Sequence, residues 1–177
     1  MRCIGAALIG SALFLLGCGG GQTIHPPGDT FATDTIEIAD RPTVLADPAA
    51  PIDKLTLRGV RLGDPRTAIS IHRKISEDDR GWIITRDSCR YRILDDKVIT
   101  LGLWDRNLLE QLGVTGEQDV ARVFGPPEKS EELKTLSGES VIFTYAGGNK
   151  RVIYSRFENR ITAVNLGAAY LATRAAE

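Results

Sequence analysis

A thiol, an imidazole or a pair of carboxylates is where chemistry would start. This chain has few of the first two: Cys3, Cys18 and Cys89, with His25 and His72. No His-x-x-x-His, Cys-x-x-Cys or calcium-loop spacing occurs, so nothing in the sequence supplies the ligand geometry of a dedicated metal site. Gly147-Gly148-Asn149-Lys150 lacks the long glycine loop and following helix of a phosphate cradle and reads as a hairpin turn. No Gly-x-Ser-x-Gly elbow is present. A Ser/His/acid triad would have to use His72, to which nothing in the sequence brings a serine. Cys89 lies near Arg86 and Arg90, which would favour a thiolate, yet at the start of a β-rich run it reads as a small buried hydrophobe. Glu77-Asp78-Asp79 and Glu131-Glu132 fall in expected loops among Lys and Arg and read as solvated charge. The expectation is a chain with no catalytic residue, no cofactor and no metal.

Two groups of residues remain. Arg90 and Arg92 alternate with Tyr91 and Ile93, so in a strand both guanidiniums leave the same face. Arginine is enriched at binding hot spots, which makes this pair the expected partner-binding positions; an ordinary solvated face is the alternative. The other group is at the start of the chain. Arg2 precedes an uncharged run, Cys3 to Gly17, that is shorter than the roughly 20 apolar residues a membrane-crossing helix needs. Its length and flanks fit the core of a cleavable signal peptide, residues 1–17.

The tetrad Leu15-Leu16-Gly17-Cys18 resembles the bacterial lipobox. The resemblance implies cleavage between Gly17 and Cys18 and acylation of Cys18, hence a membrane anchor without a spanning helix. Each buried methylene contributes about 0.8 kcal/mol, so two or three acyl chains hold where one would not. Gly19 stands where, in the same pattern, an Asp would direct retention in an inner membrane. Where the envelope has two membranes, the expected address is therefore the periplasmic face of the outer one. An ordinary signal peptide with an incidental cysteine is the alternative.

Composition bounds the rest of the chain. It has 177 residues, 42% hydrophobic and 25% charged, with 22 Lys and Arg against 23 Asp and Glu. A formal net charge of -1 disfavours nucleic acid as a partner. Residues 18–53 carry five of the eight prolines, a Gly19-Gly20-Gly21 run and few apolar side chains, and are expected to be a flexible tether. Within it Thr35-Ile36-Glu37-Ile38-Ala39 alternates, as an added edge strand would. Residues 54–167 are the expected folded domain, and 168–177 a tail or short helix.

Within the domain the chain repeats itself. Leu94-Asp95-Asp96-Lys97-Val98-Ile99-Thr100-Leu101-Gly102-Leu103 aligns with Phe157-Glu158-Asn159-Arg160-Ile161-Thr162-Ala163-Val164-Asn165-Leu166. Upstream, Leu62-Gly63-Asp64 with Ala68 aligns with Thr115-Gly116-Glu117 with Ala121. Asp64 with Pro65 is expected to open a helix bearing Ala68, Ile69 and His72. Thr115 and Gln118 are expected to form a capping box for a second helix, stopped by Gly125-Pro126-Pro127, and Asp105 to cap a short one between. Strands are expected at 82–86, 89–94, 97–103, 141–146, 150–157 and 160–166, separated by short turns. These readings combine into an α+β fold: two related helix-then-antiparallel-strand units, with helices packed on one face of antiparallel sheet.

Leu57-Arg58-Gly59-Val60-Arg61-Leu62-Gly63-Asp64 and Val120-Ala121-Arg122-Val123-Phe124-Gly125-Pro126-Pro127 are similar to a pattern in small bacterial envelope modules. In it a Gly-small-acid helix start is followed by Val-x-x-x-(Phe/Leu)-Gly-x-Pro and then strands. The chain thus resembles the superfamily of β-lactamase-inhibitor-protein-like domains and SmpA/OmlA-type envelope lipoproteins. The resemblance implies protein binding or envelope assembly rather than catalysis, with another envelope protein as partner. The competing reading is a periplasmic enzyme or small-ligand sensor whose site gathers scattered residues around Cys89 or His72.

Overall fold

The computed structural model describes residues 35–135 and 138–167. Cys18, the Gly17–Cys18 junction, His25, the first part of the tether and the tail at 168–177 lie outside them.

Two-residue turns followed by β-branched and aromatic runs dictate most of the chain. Four strands, β4 (Lys74–Glu77), β5 (Trp82–Thr85), β6 (Cys89–Leu94) and β7 (Lys97–Leu103), form one antiparallel meander. Four more, β8 (Lys129–Thr135), β9 (Gly138–Tyr145), β10 (Lys150–Ser155) and β11 (Arg160–Leu166), form a second. They join along β7 and β11 into an eight-stranded sheet of order β4-β5-β6-β7-β11-β10-β9-β8. The β6–β7 turn has Asp95 and Asp96 both at positive φ, 50° and 60°, the geometry that matches the twist of a two-residue hairpin.

This order is a palindrome, and the ladder registers obey it. Across the junction Leu101 faces Leu166, Gly102 faces Asn165 and Leu103 faces Val164. The sequence repeat aligns those same residues, Leu101 with Val164, Gly102 with Asn165 and Leu103 with Leu166. A pseudo-twofold axis therefore passes between Gly102 and Asn165. The flanking ladders follow: Arg90 sits opposite Gly102 and Arg151 opposite Asn165, and each ladder slips at the matched place, between Arg92 and Ile93 and between Ile153 and Tyr154.

The expected α+β architecture is not found. The fold is mostly antiparallel β, and the two α-helices among the described residues are short: α1 (Arg106–Glu110) and α2 (Glu117–Phe124). The reason is clearest at Asp64. Its carboxylate turns back on Arg61, accepting from the backbone N–H at 2.9 Å and the guanidinium at 3.0 Å, and so caps nothing. The following backbone is drawn to the start of β7, with Gly63 N–H to Val98 C=O at 2.8 Å, Val98 N–H to Asp64 C=O at 2.8 Å and Arg66 N–H to Asp96 C=O at 2.9 Å. A 3-10 turn at Arg66–Ala68 is all that remains of the first expected helix. The second unit's helix does form, but Gly116 is its N-cap and Thr115 binds Asp119 instead, so the capping box is absent. Asp105 caps α1 as expected, accepting from Leu108 N–H at 3.1 Å.

The folded part also begins before residue 54. β1 (Ile36–Glu37) pairs in parallel with β2 (Leu55–Leu57), which pairs with β3 (Val60–Arg61), making a small three-stranded sheet. Ile38, Val44 and Leu45 are buried, so residues 36–53 are structure rather than tether. Prolines suggest a linker here, yet Pro42 opens a 3-10 turn, Pro42–Ala46, that packs inward. One core results: Tyr91, Leu101, Leu103, Val152, Val164 and Leu166 of the large sheet meet Leu55 and Leu57 of the small one and Leu109, Val120 and Phe124 of the helices.

Candidate binding site on the open sheet face

Alternation along β6 sends Cys89 and Tyr91 into the core and Arg90 and Arg92 to the opposite face. The Tyr91 hydroxyl donates to the Leu57 carbonyl at 2.9 Å, and the Lys150 ammonium donates to Leu45 C=O at 3.0 Å, so the small sheet and the N-terminal turn are held on the core side. The other side, along the central strands, carries Trp82, Arg90, Arg92, Arg151 and Asn165, all half-buried, and Thr100, which is buried.

The pseudo-axis is the centre of this face. Gly102 is closed in by polar atoms, with no room for a side chain. A Cβ there would stand 2.9 Å from Asn165 Oδ1, 3.1 Å from Trp104 Nε1 and 3.2 Å from the Arg90 carbonyl. Trp104 Nε1 and Asn165 Oδ1 are buried and make no hydrogen bond. Such orphaned groups cost about 1–3 kcal/mol each unless something outside the chain meets them. The Arg90 guanidinium lies on the Trp104 ring, 3.5 Å from its centroid, a cation–π stack. Burial holds the Arg90 guanidinium below its ordinary value, with Asp78 acting in the opposite sense. Asp78 itself accepts from the backbone N–H groups of Arg80 at 3.0 Å and Trp82 at 2.8 Å. Beside the axis a notch of about 10 Å³, room for one water-sized group, is lined by Trp82, Thr100, Arg151, Asn165 and Gly167.

The remaining sequence candidates separate cleanly. Cys89 is fully buried and its thiol is pushed up to about 11, by burial first and by Asp87 second, which leaves it protonated and shielded at neutral pH. His72 is exposed in a turn, 71–73, apart from the axis. Glu77 pairs with Lys74 and Arg66, Glu131 with Lys129 and Glu132 with Arg156, all as ion pairs at the surface. Asp87 pairs with Arg73 and Arg58 and accepts from Thr85; burial raises its carboxyl, but these bonds outweigh it and the net shift is downward. This cluster braces the β5–β6 turn. Among the described residues no group of His, Cys, Asp and Glu is placed to hold a metal ion. A second hollow, about 190 Å³, lies against Ile36, Arg41, Val44 and Asp47, and neither Cys89 nor His72 lines it.

Arg90 and Arg92 thus stand where strand alternation puts them. Trp104, Thr100, Arg151 and Asn165 are site residues that sequence reasoning missed. The signal that could have found them is the repeat itself: extending it beyond 94–103 and 157–166 pairs Arg90 with Arg151 about an axis at Gly102 and Asn165.

No protein-family model matches the chain, and no curated protein matches it. Among solved structures the chain is similar to a DUF4309 family protein (YjgB) from Bacillus subtilis subsp. subtilis str. 168, at 12% identity with a TM-score of 0.39, over 53% of this chain and 68% of that one. A likeness of that size carries no argument about fold or function.

Proposed function

We propose that this chain is a lipid-anchored protein of the bacterial envelope, not an enzyme, that binds another envelope protein through the open face of its large sheet. The anchor is Cys18, and where two membranes exist the outer one, facing the periplasm, is its place. The observation that carries the binding half of the reading is the stack of Arg90 on Trp104 at the centre of that face. Arginine and tryptophan are the side chains that dominate interface energetics when they meet in a desolvated centre. The notch beside them is too small to enclose a substrate.

Two variants test the halves separately. Cys18→Ser should move the protein out of the membrane fraction without altering its fold; a variant that stays membrane-bound removes the anchor. Crosslinking in intact cells followed by capture should recover a discrete protein with the native chain. With Arg90→Glu and Arg92→Glu combined, that capture should fall at least about tenfold, because reversed charge at an interface centre opposes docking. Equal recovery from both chains would overturn the assignment of the face.

A further inference from the structure

We infer that β8 is a dimerisation edge: two copies of this chain pair through it, antiparallel, about a twofold axis at Leu133, and join their large sheets into one. The two outer strands of that sheet are unlike. β4 and β8 each have one side unpaired among the described residues. β4 is four residues long, and its ladder slips between Lys74 and Ser76, the kind of irregularity that turns an edge away from further pairing. β8 keeps unbroken register with β9 over seven residues, Lys129–Thr135, and contains neither proline nor glycine. Every second residue along it turns its N–H and C=O away from β9, a row of groups that another strand can meet. Lys129, Ser130, Glu131, Glu132 and Lys134 are exposed and Leu133 is half-buried, and no described element covers this edge.

Symmetry selects the register. A twofold axis between antiparallel neighbours stands perpendicular to the sheet, so facing residues point to the same side and one residue faces its own copy. Centring on Lys129, Glu131, Glu132 or Lys134 sets a charge against the same charge. Centring on Ser130 brings Glu128 against Glu132, and Pro127, which has no N–H, against Leu133. Centring on Leu133 sets leucine on leucine, with Glu132 opposite Lys134 on both sides of the axis. Two opposite-charge pairs then flank an apolar contact, the arrangement that stabilises adjacent strands. Within one chain Glu132 meets Arg156 at 2.8 Å and Lys134 meets Glu139 at 3.1 Å, with Glu132 60% and Lys134 72% exposed. Each keeps capacity for a second partner, so the pairs across the axis extend this network rather than replace it.

The perpendicular axis also fixes how the two copies face. Both open sheet faces look the same way, and both small sheets and N-terminal turns lie on the other side. A single strand pair buries little area, so the dimer is weak in free solution and gains wherever copies are concentrated on one surface.

Disulfide trapping tests the register directly. Oxidation of cells producing the full chain with Leu133→Cys should give a product of twice the chain's mass, carrying both tags when two tagged copies are made together. The native chain, whose Cys89 is buried, sets the baseline. Glu131→Cys, four positions out of register with its own copy, and Ser76→Cys on the slipped edge should stay at that baseline. Within the Leu133→Cys chain, Glu132→Lys or Lys134→Glu sets like charges face to face and should cut the yield at least about fivefold; the two together should restore it to within about twofold. Circular dichroism of each purified variant establishes that it is folded. Baseline yield at Leu133→Cys, or a product joining it to a different protein in place of a copy, overturns the dimer edge. Equal trapping at Glu131→Cys, or a double charge variant no better than the singles, overturns the axis at Leu133.

Discussion

The inner ladders of the two meanders, β6–β7 and β10–β11, share their register and the place where each slips. They differ in what stands at the matched positions. Opposite Leu103 of β7 is Cys89, and opposite Leu166 of β11 is Lys150. Both are buried. The thiol fills apolar space, whereas the ammonium crosses to the N-terminal segment and donates to Leu45 C=O at 3.0 Å and Asp47 C=O at 3.1 Å. At the far ends Trp104 is matched by Gly167, and the glycine lines the notch. One backbone plan has thus been given two jobs. The second meander clamps the N-terminal segment, and both line the notch, Trp82 and Thr100 from the first and Arg151 and Asn165 from the second.

The largest effect that would break this contrast is at the clamp. Lys150→Ala removes the donor for two carbonyls, the one of Leu45 buried, and leaves a void where the butyl chain ran, an expected loss of about 3 kcal/mol. Cys89→Ala at the matched position removes one sulfur and no essential donor, for about 1 kcal/mol. Urea denaturation measures both. Amide exchange adds the local test: residues 43–50 should lose protection in Lys150→Ala and keep it in Cys89→Ala. Equal losses, or protection untouched by Lys150→Ala, would mean that the two meanders hold the N-terminal segment alike.

Much of the sheet is legible in the sequence because its signals are local. The hairpin at Asp95-Asp96 and the alternation of Cys89 to Leu94 need only their own residues to be read. The failures share a different cause. Asp64 and Pro65 have the chemistry of a helix start, but a backbone pairing with Val98 and Asp96, more than thirty residues away in the chain, takes that segment first. The edge strands β4 and β8 escape a sequence reading because Lys74–Glu77 and Lys129–Thr135 are polar and charged, as edges exposed to solvent tend to be, and so lack apolar alternation. Residues 36–53 look like linker because their prolines are conspicuous and their apolar residues sparse; Ile38 and Leu45 find their place only in a core assembled from elsewhere. At the site, Arg90 and Arg92 are visible from strand parity, whereas Trp104 and Asn165 meet only once β7 and β11 pair.

A smaller effect sharpens the axis itself. Gly102 and Asn165 are matched residues facing each other, one bare and one polar. Gly102→Ala would press a methyl to within 3.2 Å of the Arg90 carbonyl, which is backbone and yields little, as well as against Asn165 and Trp104. The expected cost is about 1–2 kcal/mol by thermal or urea unfolding. Asn165→Ala removes an orphaned acceptor together with the packing of its side chain, two opposed contributions of about 1 kcal/mol each, and should change stability by less than about 0.5 kcal/mol. A cheap Gly102→Ala with a costly Asn165→Ala would mean that the axis is held by the amide and not by the absence of a side chain.

The smallest effect separates two hydroxyls at matched positions, Thr85 and Tyr145. Thr85 lies 2.6 Å from an Asp87 carboxylate oxygen and 2.9 Å from the Cys89 carbonyl, so its hydroxyl is used. The Tyr145 hydroxyl is buried with no partner, its ring set against Phe124 at 6.0 Å between centroids. Tyr145→Phe deletes only the unmet group and should stabilise the protein by about 1 kcal/mol at pH 7, where Thr85→Val should cost about as much. The pH dependence carries a second signature. Burial pushes the Tyr145 phenol up to about 12 from an ordinary 10. Above pH 10 the unfolded chain releases this proton while the folded one retains it. Stability is therefore unaffected by the group below pH 10 and declines as pH rises from about 10 towards 12. Tyr145→Phe should flatten that decline, read from urea midpoints between pH 9 and 11.5, with the gain over the native chain widening as pH rises. A gain that stays constant across that range would show the phenol ionising as freely in the folded chain as in the unfolded one, and the contrast with Thr85 would lose its physical basis.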